Sequence, residues 1–67
     1  MKLYFKDCHN KKRLIAEPAT EDAAMDEIRK FCSDRHFKIY YVRTWMADGV
    51  KIYDVGSHTE FFHLHKD

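Results

Sequence analysis

Only one stretch of this chain repeats its apolar residues at helical spacing, and segments that alternate lie on both sides of it. From Ala24, apolar side chains return at Ile28, Phe31 and Cys32, with Met25 beside them. That spacing makes one stripe of an amphipathic helix of about four turns, running to near Arg35. Thr20 stands where an N-cap belongs, because its hydroxyl can accept an unpaired N–H of the first turn. Glu21 and Asp22 follow, and negative charge is favoured at that end of a helix. Asp26, Glu27, Arg29, Lys30 and Asp34 fill the wet face.

The flanking segments read as strands. Residues 2–7 alternate polar and apolar, Cys8 to Lys12 is a polar turn cluster, and Arg13 to Glu17 returns to close a hairpin. Pro18 then stops the ladder, since it has no N–H to donate. Residues 37–46, with Phe37, Ile39, Tyr40, Tyr41, Val42, Thr44 and Trp45, have strand composition. Asp48-Gly49 suits a type I′ turn, whose two central residues both need positive φ. Val50 to Val55 is the return strand, Gly56-Ser57 a turn or bulge, and Glu60 to His65 a fifth strand expected at an edge. The predicted order is ββαβββ: an α+β fold, one five-stranded antiparallel sheet with the helix packed on one face.

Sixty-seven residues make one domain, residues 1–67, whose core is small enough that oligomerisation or ligand binding would add needed stability. Twelve Lys+Arg against eleven Asp+Glu excludes a chain drawn to nucleic acid or membrane by net charge alone. Residues 1–18 and 35–51 are basic and 19–34 and 52–67 acidic, an alternation that leans against nucleic acid as the partner, although the basic segments could share one sheet face. No apolar run approaches the roughly 20 residues of a membrane span, and residues 1–20 lack a signal-peptide core. Two cysteines, Cys8 and Cys32, do not make a disulfide framework, which favours reduced thiols in a cytoplasm.

Side chains alternate across a strand, so each strand sorts into two sets. Leu3, Phe5, Ile39, Tyr41, Val50, Ile52, Phe62 and Leu64 are expected to meet the helix. The other set contains Lys2, Tyr4, Lys6, Lys38, Tyr40, Val42, Lys51, Tyr53, Val55, Phe61 and His63. Aromatics interleaved with lysines suit either a stacking platform for bases or a protein interface. A helix packed there, or a second copy, would equally account for them. A register shift of one residue would exchange the two sets.

Five histidines raise the question of metal, and His63 and His65 share a strand face. A zinc site needs three or four ligands held in tetrahedral geometry, and no Cys-x-x-Cys or comparable spacing supplies them. No metal and no cofactor are expected. No nucleophile elbow, phosphate loop or His-Glu-x-x-His motif is present. Pairs such as Ser57-His58 or Cys32 with His36 lack an orienting group and an oxyanion site. The chain reads as a non-enzyme.

The segment Asp54-Val-Gly-Ser-His-Thr-Glu-Phe-Phe62, following Trp45, resembles small uncharacterised phage and prophage proteins of Gram-positive bacteria. The resemblance covers the general layout and is specific only at 53–62. It implies a bacterial cytoplasm and a protein that inhibits or sequesters a host component, including one of anti-phage defence, by occupying it. The expected partners are a host protein or a small nucleotide, with a homo-oligomer, a homodimer above all, and no membrane. A sponge for a signalling nucleotide held between subunits and a nucleic-acid module using the aromatic and basic face are the alternatives. The candidate binding residues are Arg43 and Trp45 as anchors, since Arg and Trp concentrate binding energy at interfaces. Tyr40, Tyr53 and Phe61 are expected to supply contact area, and Ser57, His58, Thr59 and Glu60 specificity.

Overall fold

The computed structural model describes residues 1–66. Strands β1 (Lys2–Lys6) and β2 (Lys12–Ala16) form a hairpin, helix α1 (Glu21–Asp34) crosses over, and β3 (Arg43–Ala47), β4 (Val50–Asp54) and β5 (Phe61–His65) complete the chain. All five strands join one antiparallel sheet in the order β2-β1-β5-β4-β3. The predicted ββαβββ architecture is therefore the observed one.

The local chemistry behaves as the sequence requires. Thr20 is the N-cap, its hydroxyl accepting from the Ala23 N–H at 3.1 Å. Asp48 and Gly49 both have positive φ, 52° and 76°, as a two-residue I′ hairpin demands. Helix α1 ends when His36 turns to a φ of 55° and the Phe37 N–H donates back to the Cys32 carbonyl at 2.7 Å. At its other end Glu21 accepts from Lys51 Nζ at 2.7 Å and lies 3.2 Å from Lys66 Nζ, which pins the first turn to the sheet.

The core lies between α1 and one face of the sheet. Ala24, Ile28 and Cys32 of the helix stripe meet Leu3, Tyr53, Val55, Phe62 and Leu64, all buried. Phe5, Phe31, Phe37 and Phe62 pack as an aromatic group, with centroids 4.7 Å apart for Phe5–Phe31 and 5.5 Å for Phe31–Phe62. A chain of 67 residues carries a total stability of about 3–10 kcal/mol. Truncating Ile28 or Phe62 to Ala removes about 2–5 kcal/mol of that, so each is close to indispensable.

Three expectations need correction. Residues 37–42 are not a strand: after α1 the chain must travel from the helix layer to the far edge of the sheet, and these residues span that gap. Phe37 and Ile39 pack against the core on the way, while Tyr40, Tyr41 and Val42 stay exposed. Strand β5 is central rather than an edge; β2 and β3 are the edges. Strand β4 is turned by one residue from the expected sorting. Tyr53 and Val55 face the helix, whereas Val50 and Ile52 lie on the other side, Ile52 between Trp45 and His63. The β1–β2 register, which the sequence left open, contains a bulge. Leu3 pairs with Ala16 but Tyr4 with Leu14, so Ile15 is the extra residue of a bulge, and both Ile15 and Ala16 reach the core.

Candidate functional site

The face of the sheet opposite α1 is uncovered, and the register fixes what it carries. Across its centre runs one row from edge to edge: Leu14 beside Tyr4, Tyr4 beside His63, His63 beside Ile52, Ile52 beside Trp45. Five strands at their usual spacing make this row roughly 19 Å long. On one flank Lys12, Lys6 and Phe61 stand side by side, and Arg43 pairs with Asp54. On the other are Lys2, His65 and Val50.

Several contacts hold these side chains in place. Trp45 meets Phe61 edge-on at 6.1 Å, and the Arg43 guanidinium lies 5.5 Å from the Trp45 ring. Tyr4 packs edge-on against His65 at 5.0 Å. Lys12 sits over the Tyr4 ring, and its ammonium donates to His65 Nε2 at 2.9 Å, which leaves that nitrogen unprotonated. His63, in the middle of the row, is pushed down to about 4 by burial first and then by Lys12, Lys6 and His65. The centre of the face is neutral and its flanks are cationic.

Asp54 is the sole carboxylate on the open-face positions of the five strands, and it is 3% exposed. Its Oδ2 accepts from Arg43 at 3.0 Å and its Oδ1 from the Gly56 N–H at 2.9 Å. The acidic residues Asp22, Asp26, Glu27 and Asp34 belong to α1, in the other layer.

The sequence-derived site residues divide into three places. Arg43, Trp45 and Phe61 lie on the open face. Tyr40, Ser57, His58 and Thr59 line a separate cleft of about 720 Å3, together with His36, Phe37, Lys38 and Gly56. Its walls are the segment leaving α1 and the β4–β5 turn, joined by the Tyr40 N–H donating to the Val55 carbonyl at 3.0 Å. Gly56, at a φ of 99°, lets Tyr40 pack directly on the turn backbone. The Ser57 hydroxyl donates to Glu60 at 2.7 Å, which braces the turn, while His58 and Thr59 are exposed at its tip. Tyr53 is in the third place: it is 2% exposed beneath the helix, burial raises its phenol above the usual range, and it offers no contact area.

Tyr4, Lys6, Lys12, Leu14 and His63 complete the face although they were not among the candidate residues. Alternation along β1 and β5 already placed Tyr4, Lys6 and His63 together. Lys12 and Leu14 join them only through the bulged hairpin register.

The remaining chemistry is limited. Cys32 is 1% exposed and desolvation raises its thiol, the reverse of activation, so it makes no reactive pair with His36. Among the described residues no group of three or more His, Cys, Asp or Glu side chains is placed to hold a metal ion. His63 and His65 do share a face, but their neighbours Lys6 and Lys12 would repel a cation. Among the described residues no helix is long and apolar enough to cross a membrane. Comparison with protein-family models, with curated proteins and with solved structures returns no match.

Proposed function

We propose that this protein is a non-catalytic binding module that works by occupancy, and that its open sheet face takes single-stranded nucleic acid. The observation that carries the reading is the composition of that face. Lys2, Lys6, Lys12 and Arg43 surround Tyr4, Trp45, Phe61 and the neutral His63, and the only carboxylate among them is buried and paired. Rings of this kind stack on unpaired bases of any sequence, and the flanking cations track the phosphates. A duplex hides its base faces and would meet only the charges. With the phage resemblance of residues 53–62 as context, the module would act in a bacterial cell by covering a host or viral strand. A host protein seated on the same face is the rival occupant, and it would respond weakly to salt.

The test is fluorescence anisotropy with labelled dT20 and rU20, with quenching of Trp45 as a second signal. About four phosphate contacts predict affinity falling roughly 50-fold between 50 and 200 mM salt. Trp45→Ala should weaken binding by about 1–3 kcal/mol. The double variant Lys6→Ala, Lys12→Ala should lower both the affinity and the salt slope. No binding at 50 mM salt, or binding that ignores these substitutions, would overturn the reading.

A further inference from the structure

The two edges of the sheet are finished differently. Strand β2 carries Lys12 and Arg13 and is bent by the bulge at Ile15, devices that discourage another strand from pairing. Strand β3 has no bulge, and its one charged residue, Arg43 at its start, is drawn inward onto Asp54. Of the six large apolar residues that stand exposed, five fall in the run leading into and through it: Tyr40, Tyr41, Val42, Trp45 and Met46. The helix does not reach over this edge, so Met46 is bare on the helix side as Trp45 is on the open side. An unbulged edge this apolar, with a single cation already engaged by Asp54, is a pairing surface rather than a solvated one.

We infer that β3 is a homodimer interface, where a second copy of the chain adds its own β3 antiparallel to form a continuous ten-stranded sheet. The backbone fixes which groups are available. Ala47 and Val50 close a two-residue hairpin and so form a hydrogen-bonded pair. Alternation from there directs the N–H and C=O of Ala47, Trp45 and Arg43 to β4, and leaves those of Thr44 and Met46 pointing outward.

A two-fold centred on any residue of β3 pairs outward groups with outward groups. Centring on Arg43 sets two guanidinium groups opposite each other. Centring on Trp45 pairs all five residues of β3 and sets Trp45 opposite Trp45, with Thr44 opposite Met46 and Arg43 opposite Ala47. Centring on Thr44 sets Thr44 opposite Thr44, Arg43 opposite Trp45 and Val42 opposite Met46, a hydroxyl pair, a cation–π pair and an apolar pair. The Thr44 and Trp45 registers are both self-complementary, the first drawing in Val42 and the second using β3 alone. Either register keeps both open faces on the same side, because directly opposed residues in an antiparallel pair share a face. The dimer does not depend on the nucleic-acid reading, and it is measured without any oligonucleotide.

The experiment is sedimentation equilibrium with native mass spectrometry on the full chain between 5 and 300 µM. The wild type should be a dimer in reversible exchange with monomer. Met46→Lys in either register, and Val42→Lys in the Thr44 register, each at a position already exposed, should weaken dimerisation at least tenfold with an unchanged circular-dichroism spectrum. Leu14→Lys, on the opposite edge, should leave it unchanged. A wild type that stays monomeric at 300 µM overturns the inference. So does a dimer that resists both β3 variants or dissociates with Leu14→Lys.

Discussion

The Arg43 guanidinium, itself largely in solvent, donates at 3.0 Å to a buried carboxylate, that of Asp54. The second oxygen of Asp54 holds the Gly56 N–H, so one side chain ties the sheet edge to the β4–β5 turn. Asp54→Ala strands that N–H and frees Arg43, and should cost about 1–3 kcal/mol. Arg43→Ala should cost less, because the buried carboxylate keeps its backbone donor. The readout is the urea midpoint at constant m-value, which separates lost stability from a changed unfolded state.

The two glycines should respond differently to a methyl group. Both have positive φ, yet a Cβ on Gly49 meets nothing within 4 Å, whereas one on Gly56 stands 2.7 Å from Tyr40 Cβ. Gly49→Ala pays only the backbone strain, about 1–2 kcal/mol. Gly56→Ala adds a steric clash and should displace Tyr40, so thermal melting should show the larger loss for Gly56→Ala. The double variant Gly56→Ala, Tyr40→Gly should recover part of that difference.

Acid should weaken the fold over a window set by His63. Its folded value is about 4 against an ordinary 6.5. Between those values the unfolded chain binds more protons than the native one, so stability climbs with pH and is lost as pH falls from 6.5 towards 4. Melting temperatures at pH 7.0, 6.0, 5.0 and 4.5 should fall in that order, and His63→Phe should flatten the series. A polyanion on the face would offset Lys6 and Lys12 and raise His63, so the proposed nucleic-acid affinity should increase as pH drops through the same window.

The thiols should titrate in two steps. Cys8 is exposed in the β1–β2 turn and Cys32 is buried with a raised thiol. A chromogenic disulfide reagent at pH 8 should label one cysteine promptly, and the second only as fast as the molecule opens. Cys8→Ser should abolish the fast step alone.

Much of this architecture was legible in the residues, and the places where it was not share a cause. The helix, its Thr20 cap and the Asp48-Gly49 turn follow from local chemistry, which neighbours in space do little to alter. Strand β4 misleads because Lys51 and Tyr53 are amphipathic. The Lys51 stem lies along the helix side while its ammonium ends on Glu21, so a position that looks wet belongs to the covered face. Residues 37–42 mislead because β-branched and aromatic composition describes a half-buried surface, not a hydrogen-bonded one. The central place of β5 and the bulge at Ile15 depend on pairings between distant segments, and no local pattern records them. For the site, alternation placed Phe61 on the open face, whereas Tyr53 was lost to it with the β4 register.

A net charge of +1 makes this protein sound electrically featureless. The layering contradicts that impression. Helix α1 holds five carboxylates against Arg29 and Lys30, while the open face holds Lys2, Lys6, Lys12 and Arg43 against the one buried carboxylate of Asp54, so the two faces differ in sign. In the field of a charged rod or a charged resin it would rotate before it touches, and meet a polyanion with the sheet forward. Ion-exchange retention should accordingly follow the orientation of the molecule rather than its isoelectric point, and a cation exchanger should hold it even at a pH where its net charge is zero.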